Sequence, residues 1–436
     1  MTEPVLAIHG GKRYRNTPFP RRTPFGDEEI HLLTEAVRSQ NLFGLGGPKV
    51  TQFEKEFAAL YGAKHAVGST SGTAAIHVAV GTINPEPGDE IITAPITNFF
   101  APSAGRTAGL MAGRLAGLWG EKTDGGTIVP ILYQNAIPVF ADIDETYNMD
   151  PADVERKITD RTRAILVVHL FGNACDMDAM AAIARRHKLA LIEDCSQAHA
   201  TKYKGRYLGT IGDIGCFSLQ QSKHMTTGDG GVTITNRDDL SERMALFRDK
   251  GWSRKPGWGA RTYLFLAPNY RMTELQGAVG LAQVKKVRAV VEKRMELGNL
   301  LSESIRGITG LVPAPVTPGS EHSYWSYALR VDGWDPKTFA SALSAEGVGC
   351  GAGYIGEPIF LCMEACCNKV TFGNSHHPFD GCHTSREYHY TRGLCPKTED
   401  ALKHMINIGI HEQMARQDVL DMAGAIRKVA EHLPRA

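Results

Sequence analysis

Short apolar runs alternating with helical patterns most constrain what this chain can fold into. The runs fall at 65–67, 90–93, 137–140, 164–168, 190–192, 214–217 and 231–234. Each is too short for a helix, and most are apolar nearly throughout, as strands buried on both faces are. Helical patterns at 28–39, 178–187 and 239–247 precede, separate and follow them. Strand–helix alternation of this kind predicts an α/β fold, a mostly parallel sheet of about seven strands wrapped by helices. A long helical stretch follows, from Thr273 to about Ile305, and Pro313, Pro315 and Pro318 then break the chain. Beyond them, an alternating strand at 324–331, a helix at 335–345 and a loop-rich stretch predict a smaller α+β domain. The expected division is an N-terminal arm (1–23), a large domain (24–312) and a small C-terminal domain (313–436).

Composition narrows the class. At 436 residues the chain is long enough for two cores. A formal net charge of +1 gives no electrostatic case for nucleic acid or an anionic membrane surface as a partner. No run of about 18 apolar residues could span a bilayer, and the N-terminal stretch lacks the apolar core of a signal peptide. Nine cysteines, an odd number, several of them in strand-like contexts such as Gly215-Cys216-Phe217, indicate reduced thiols and a cytoplasmic location. The cluster Cys362, Cys366, Cys367, His376, His377, Cys382 and His383 lacks paired metal-ligand spacing and reads as structural, so no metal is expected. The Gly44-Leu45-Gly46-Gly47 segment lacks a full phosphate-loop pattern; it reads as a flexible loop near the substrate mouth, before a helix beginning near Val50.

Three motifs carry chemistry together. Lys223 follows an apolar strand and precedes Thr226-Thr227-Gly228-Asp229-Gly230-Gly231. A partly desolvated lysine amine is neutral when it attacks and can hold an aldehyde as a Schiff base. Asp194 ends the run Leu189-Ala190-Leu191-Ile192, where ligands of open parallel sheets bind; its carboxylate can bond a protonated pyridine nitrogen. Glu193, its neighbour, is expected to face the opposite side of the strand. Ser71-Gly72-Thr73 opens a helix whose free N–H groups favour a phosphate. Taken singly, these are a solvated lysine, a helix cap and an ordinary turn. Together they meet the three needs of pyridoxal 5'-phosphate.

The stretches Ser71-Gly72-Thr73-Ala74-Ala75, Glu193-Asp194-Cys195-Ser196-Gln197-Ala198-His199, Phe217-Ser218-Leu219-Gln220-Gln221-Ser222-Lys223 and Asn269-Tyr270-Arg271-Met272-Thr273-Glu274-Leu275-Gln276-Gly277 resemble the DegT/StrS-type sugar and aminocyclitol aminotransferases. The likeness runs from about Phe19 to Pro434 and implies the aspartate-aminotransferase fold, fold type I. It implies Lys223 as the Schiff-base lysine, Asp194 as the pyridine partner and Gln197 at the cofactor's phenolic oxygen. It further implies Gly72, Thr73 and Ser218 at the phosphate, and Asn269 at the phosphate of a neighbouring subunit, hence a homodimer with shared active sites. Related dehydratases carry histidine in place of the lysine, so Lys223 favours transamination. Epimerisation, dehydration or a regulatory protein without turnover are the alternatives. Tyr354-Ile355-Gly356-Glu357-Pro358 and Ile131-Leu132-Tyr133-Gln134-Asn135 resemble the branch acting on keto-inositols with glutamine as donor. An insertion at about 97–123, rich in Ala and Gly, departs from that branch and splits a short motif into Ile96-Thr97 and Thr123-Asp124-Gly125-Gly126-Thr127. It is expected to be an edge-covering helix or a flap shaping acceptor choice. Phe99 and Phe100 are the candidates for stacking on the cofactor ring.

Overall fold

A computed structural model describes residues 5–97, 125–254 and 262–435. The insertion's Phe99, Phe100, Arg106 and Arg114 lie outside them. All seven apolar runs are strands of one sheet: β1 (His65–Ser69), β2 (Glu90–Thr93), β3 (Ile137–Phe140), β4 (Thr162–Val168), β5 (Ala190–Asp194), β6 (Ile214–Ser218) and β7 (Gly231–Thr235). The order is β1-β7-β6-β5-β4-β2-β3. Pairings from β3 through β6 are parallel, and β7 is antiparallel to both β6 and β1. Strands β2, β3, β6 and β7 are buried at every residue, because helices cover both faces.

Parallel strands put their carboxyl ends on one edge. Asp194 pairs with Cys216, Ser218 with Gly231, and Gly231 with Ser69. The ends of β5, β6 and β1 are thereby gathered where ligands of such sheets bind.

A second sheet contains β8 (Leu311–Val312), β9 (Tyr327–Val331), β10 (Cys350–Ala352) and β11 (Met405–Ile408), in the order β8-β9-β11-β10 and antiparallel throughout. The strand expected from Tyr324 starts three residues later. Tyr324 has a positive φ of 46° and turns the chain before pairing begins. The 32-residue helix Glu274–Ile305 joins the two sheets' cores: Leu281 and Val287 pack with the large one, and Leu297, Leu301 and Ile305 with the small one. Its N-terminus is closed by Thr273 and Gln276, which cap each other's backbone N–H groups.

Residues outside the sheets tie the lobes. Leu6 of the N-terminal segment packs into the small core, and Arg15 pairs with Asp418 and Asp421. Ile359, Phe360, Tyr388 and Tyr390 return to the large core, where Phe360 and Tyr390 pack on Phe140 and the Tyr390 hydroxyl donates to Pro138 O. The glycine-rich segment at 44–47 is pinned, unlike the flexible loop expected. A Cβ on Gly47 would lie 2.4 Å from Glu274, whose carboxylate accepts the Lys49 and Val50 N–H groups that open helix Pro48–Tyr61.

Candidate active site

Asp194 is buried at the end of β5. Its Oδ2 accepts from the Thr127 hydroxyl at 2.9 Å and its Oδ1 from Ser196 N–H at 3.0 Å. Two donors, one per oxygen, fix the carboxylate's orientation. Glu193 has a different set of partners. It accepts from Gly209, Ile211 and Gly212 N–H groups at 2.6–2.8 Å and lies 3.1 Å from His169 Nε2. Among the described residues, His169, Glu193 and Cys195 are the group whose ligand atoms converge closely enough for a metal. The Glu193 oxygens are already committed to backbone amides, which gives that trio a structural use. Cys362, Cys367 and Cys382 are exposed.

The helix Gly72–Ile83 begins beside Ser218. Ser71 caps it, its hydroxyl accepting from Ala74 N–H at 3.0 Å. The N–H groups of Gly72 and Thr73 project from the open helix end, where the helix dipole favours an anion. A Cβ on Gly72 would stand 2.6 Å from Ser218 Cβ and 2.8 Å from its Oγ, so only glycine lets the helix start close on that hydroxyl. Gly72, Thr73 and Ser218 therefore form one donor cluster suited to phosphate.

Lys223 sits on the segment leaving β6 and is 4% exposed. Its Nζ lies 4.4 Å from the centre of the Trp325 ring. Trp325 is in turn held by its indole N–H to Ser222 O at 3.0 Å and its backbone N–H to Phe171 O at 2.8 Å. His199 lies beneath the cluster. Burial pushes its pKa down to about 4, and its Nε2 is 2.8 Å from Ser218 O. A neutral imidazole donating through Nε2 satisfies both facts.

Gln197 is buried with both ends of its amide engaged. Oε1 accepts from Phe171 N–H at 2.6 Å, and Nε2 donates to the Tyr354 hydroxyl at 3.0 Å. Tyr354 donates onward to Thr97 O at 3.2 Å. Phe171 and Tyr354 both have positive φ, 59° and 49°, so two strained non-glycine residues meet at this amide. Asn269 is exposed, on the segment that pairs through Arg271 with Ser69.

Thr127, Trp325, Phe171 and Tyr354 were not read as site residues from the sequence. Thr127 and Tyr354 do stand inside motifs quoted above, which was the available signal. Trp325 and Phe171 had none.

The residues fit the cofactor. An amine, a carboxylate, a buried amide and an anion cradle converge on the carboxyl edge of one sheet, and the cradle's space exists only because position 72 lacks a Cβ. This fold and this site define a pyridoxal-phosphate enzyme of fold type I. A sequence profile of the DegT/DnrJ/EryC1/StrS aminotransferase family matches residues 24–108 and 123–427, passing over 109–122 within the insertion. The chain belongs to that family and is an aminotransferase. It is 32% identical over 431 residues to the spore coat polysaccharide biosynthesis protein SpsC of Bacillus subtilis, covering 96% of this chain and 98% of that one. It is 31% identical to the L-glutamine:2-deoxy-scyllo-inosose aminotransferase of Streptomyces lividus, covering 98% of each. Among solved structures, the aminotransferase from Psychrobacter cryohalolentis superposes with a TM-score of 0.76 at 27% identity, over 94% of this chain and 98% of that one.

Proposed function

We propose that this enzyme moves an amino group from an amino acid, glutamine in particular, to a keto group on a sugar or cyclitol such as an inosose. The observation that carries the chemistry is the buried Lys223 amine on the same sheet edge as the fixed Asp194 carboxylate. The acceptor class is supported by the inosose aminotransferase of Streptomyces lividus, matched over nearly its whole length.

Pyridoxal phosphate, when bound, supplies an aldehyde and an electron-accepting ring. Asp194 would hold a proton at the ring nitrogen, and Thr127 and Ser196 keep that carboxylate aimed. Gly72, Thr73 and Ser218 would bind its phosphate. Gln197, held by Phe171 and Tyr354, would contact the phenolic oxygen. Lys223 would hold and move the proton at the reacting carbon as general acid and base. Donor and acceptor bind in turn, which gives ping-pong kinetics.

We further propose a homodimer in which Asn269 completes the partner's phosphate site. Its segment also shows Tyr263, Leu264 and Leu266 to solvent, Leu266 at 96% exposure, a local apolar patch that a partner would cover. The working division is an arm (1–23), a large lobe (24–312) and a small lobe (313–436). Among the described residues no helix is long and apolar enough to cross a membrane. The unpaired cysteines, three of them exposed, support a reducing, cytoplasmic setting.

The test is turnover with glutamine, glutamate and alanine against a panel of free keto-cyclitols and nucleotide-linked keto-sugars. Parallel double-reciprocal plots with glutamine and a keto-cyclitol are expected. Turnover of a sugar substrate without any amino donor would overturn the reading.

A further inference from the structure

We propose that Arg22, in the N-terminal arm, is a positioning residue for Lys223; this rests on the role assigned to Lys223 above. Its guanidinium reaches the lysine's own loop from outside. Nη1 donates to Gln221 O at 3.2 Å and Nη2 to His224 O at 3.0 Å, two carbonyls that bracket Lys223 in sequence. Nε donates to Glu412 Oε1 at 2.9 Å. The other oxygen of Glu412 accepts from Arg294 Nε at 2.9 Å. Burial raises the Glu412 pKa, but the two arginines beside it outweigh that and pull it down to about 2. The carboxylate is therefore charged whenever the enzyme works.

The chain around Lys223 needs such a clamp. Between Leu219, whose N–H bonds Gly230 O, and Thr227, whose N–H bonds Leu219 O, the segment belongs to no strand or helix. Lys223 N–H bonds Gln220 O within the turn itself. Among the described residues, hydrogen bonds to this segment from elsewhere are the indole of Trp325 on Ser222 O, the His224 imidazole on Ser323 O, Gln283 on Thr226 N–H, and the Arg22 fork. Of these four, the Arg22 side chain alone bonds the loop's backbone on both sides of the lysine. It also joins that loop to Glu412, between β11 and helix Arg416–His432, and through it to the long helix at Arg294. A planar guanidinium donates in fixed directions, so it can hold two carbonyls and a carboxylate at once; a lysine cannot. Fixing the backbone on both sides of Lys223 restricts where its flexible side chain delivers the amine. Raising the effective concentration of that amine at the cofactor aldehyde is a positioning effect.

The experiment compares two forms of the cofactor on the apoprotein. Pyridoxal phosphate condenses with the Lys223 amine, losing water. Pyridoxamine phosphate carries an aminomethyl group in place of the aldehyde and cannot. Arg22→Lys keeps a charge beside Glu412 and so limits harm to the fold. It is expected to weaken pyridoxal phosphate binding about tenfold, as loss of a charge-assisted bond does, and to change pyridoxamine phosphate binding by less than about twofold. Arg22→Gln should show the same selectivity. Equal weakening for both forms, no weakening for either, or failure of both variants to fold would each overturn the proposal. If the unaltered protein does not prefer the aldehyde form and borohydride fixes nothing to Lys223, it is the assignment of Lys223 that fails.

Discussion

The chemistry of the site rests on a few buried side chains, each with named partners. Lys223→Ala should abolish the adduct that borohydride fixes between cofactor and protein, as read by peptide mapping. An adduct surviving on another lysine would move the assignment. Asp194→Asn should still bind cofactor. It loses an ionic partner at the ring nitrogen, worth roughly 1.5–3 kcal/mol, so turnover should fall by about one to two powers of ten. Near-normal turnover would remove Asp194 from the mechanism. The Thr127 hydroxyl acts one step back. Thr127→Val keeps the shape and deletes the bond to Asp194 Oδ2. A loss of about fivefold in kcat follows from a net hydrogen bond of about 1 kcal/mol, smaller than that of Asp194→Asn; a larger one would mean that the fold is disturbed.

At the scale of elements, the start of helix Gly72–Ile83 is the most exacting contact. Gly72→Ala puts a methyl within 2.6 Å of Ser218 Cβ, so the helix start must retreat from that strand end. Affinity for pyridoxal phosphate and for inorganic phosphate should fall together, by about tenfold or more, as helix-end donors separate from the Ser218 hydroxyl. Unchanged affinity for both would show that the phosphate binds elsewhere. This helix and all seven strands were legible in the sequence for a physical reason. Strands buried on both faces must be apolar nearly throughout, and a Ser-Gly-Thr turn before an apolar helix marks its own cap. What was not legible depends on long separations. Thr127 meets Asp194 across 67 residues, and Tyr354 meets Gln197 across 157. No local pattern encodes such pairings. The segment Tyr324–Ser326 misled for the opposite reason: its composition alternates like a strand, but Trp325 N–H is spent on Phe171 O and Tyr324 is turned left-handed.

For the whole molecule, three buried histidines predict the acid limit. Burial pushes His77 and His199 down to about 4 and His322 to about 3. Each is neutral when folded, whereas the unfolded chain takes up protons near pH 6.5. The stability they contribute is fully present above that pH and is lost as pH falls from about 6.5 toward 4. The slope is at most about 1.4 kcal/mol per histidine per pH unit. Thermal unfolding should therefore move to lower temperature steadily across this window, and His199→Gln should lessen the dependence. A flat Tm between pH 6.5 and 4.5 would count against neutral burial. Assembly has its own test. Mixing Lys223→Ala chains with Asn269→Ala chains, each inactive alone, should restore activity in heterodimers, because one hybrid site keeps both residues. Heterodimers that form and stay inactive would refute the shared site.

The adjacent carboxylates of β5 carry a consequence for how this gene can change. Glu193 holds three amides of the 209–212 turn, and Asp194 faces Thr127 and Ser196. Neighbours on a strand face opposite ways, so one residue gained or lost ahead of the pair in β5 would move both out of place. A deletion would bring Asp194 to the turn, one carbon too short, and an insertion would bring Glu193 to the place of Asp194, one carbon too long. No single substitution repairs both. Insertions and deletions should thus be purged from β5 while surviving at 109–122, where the family profile itself skips a stretch of this chain. A deep library of in-frame single-codon deletions would trace that boundary as a sharp fall in viable clones.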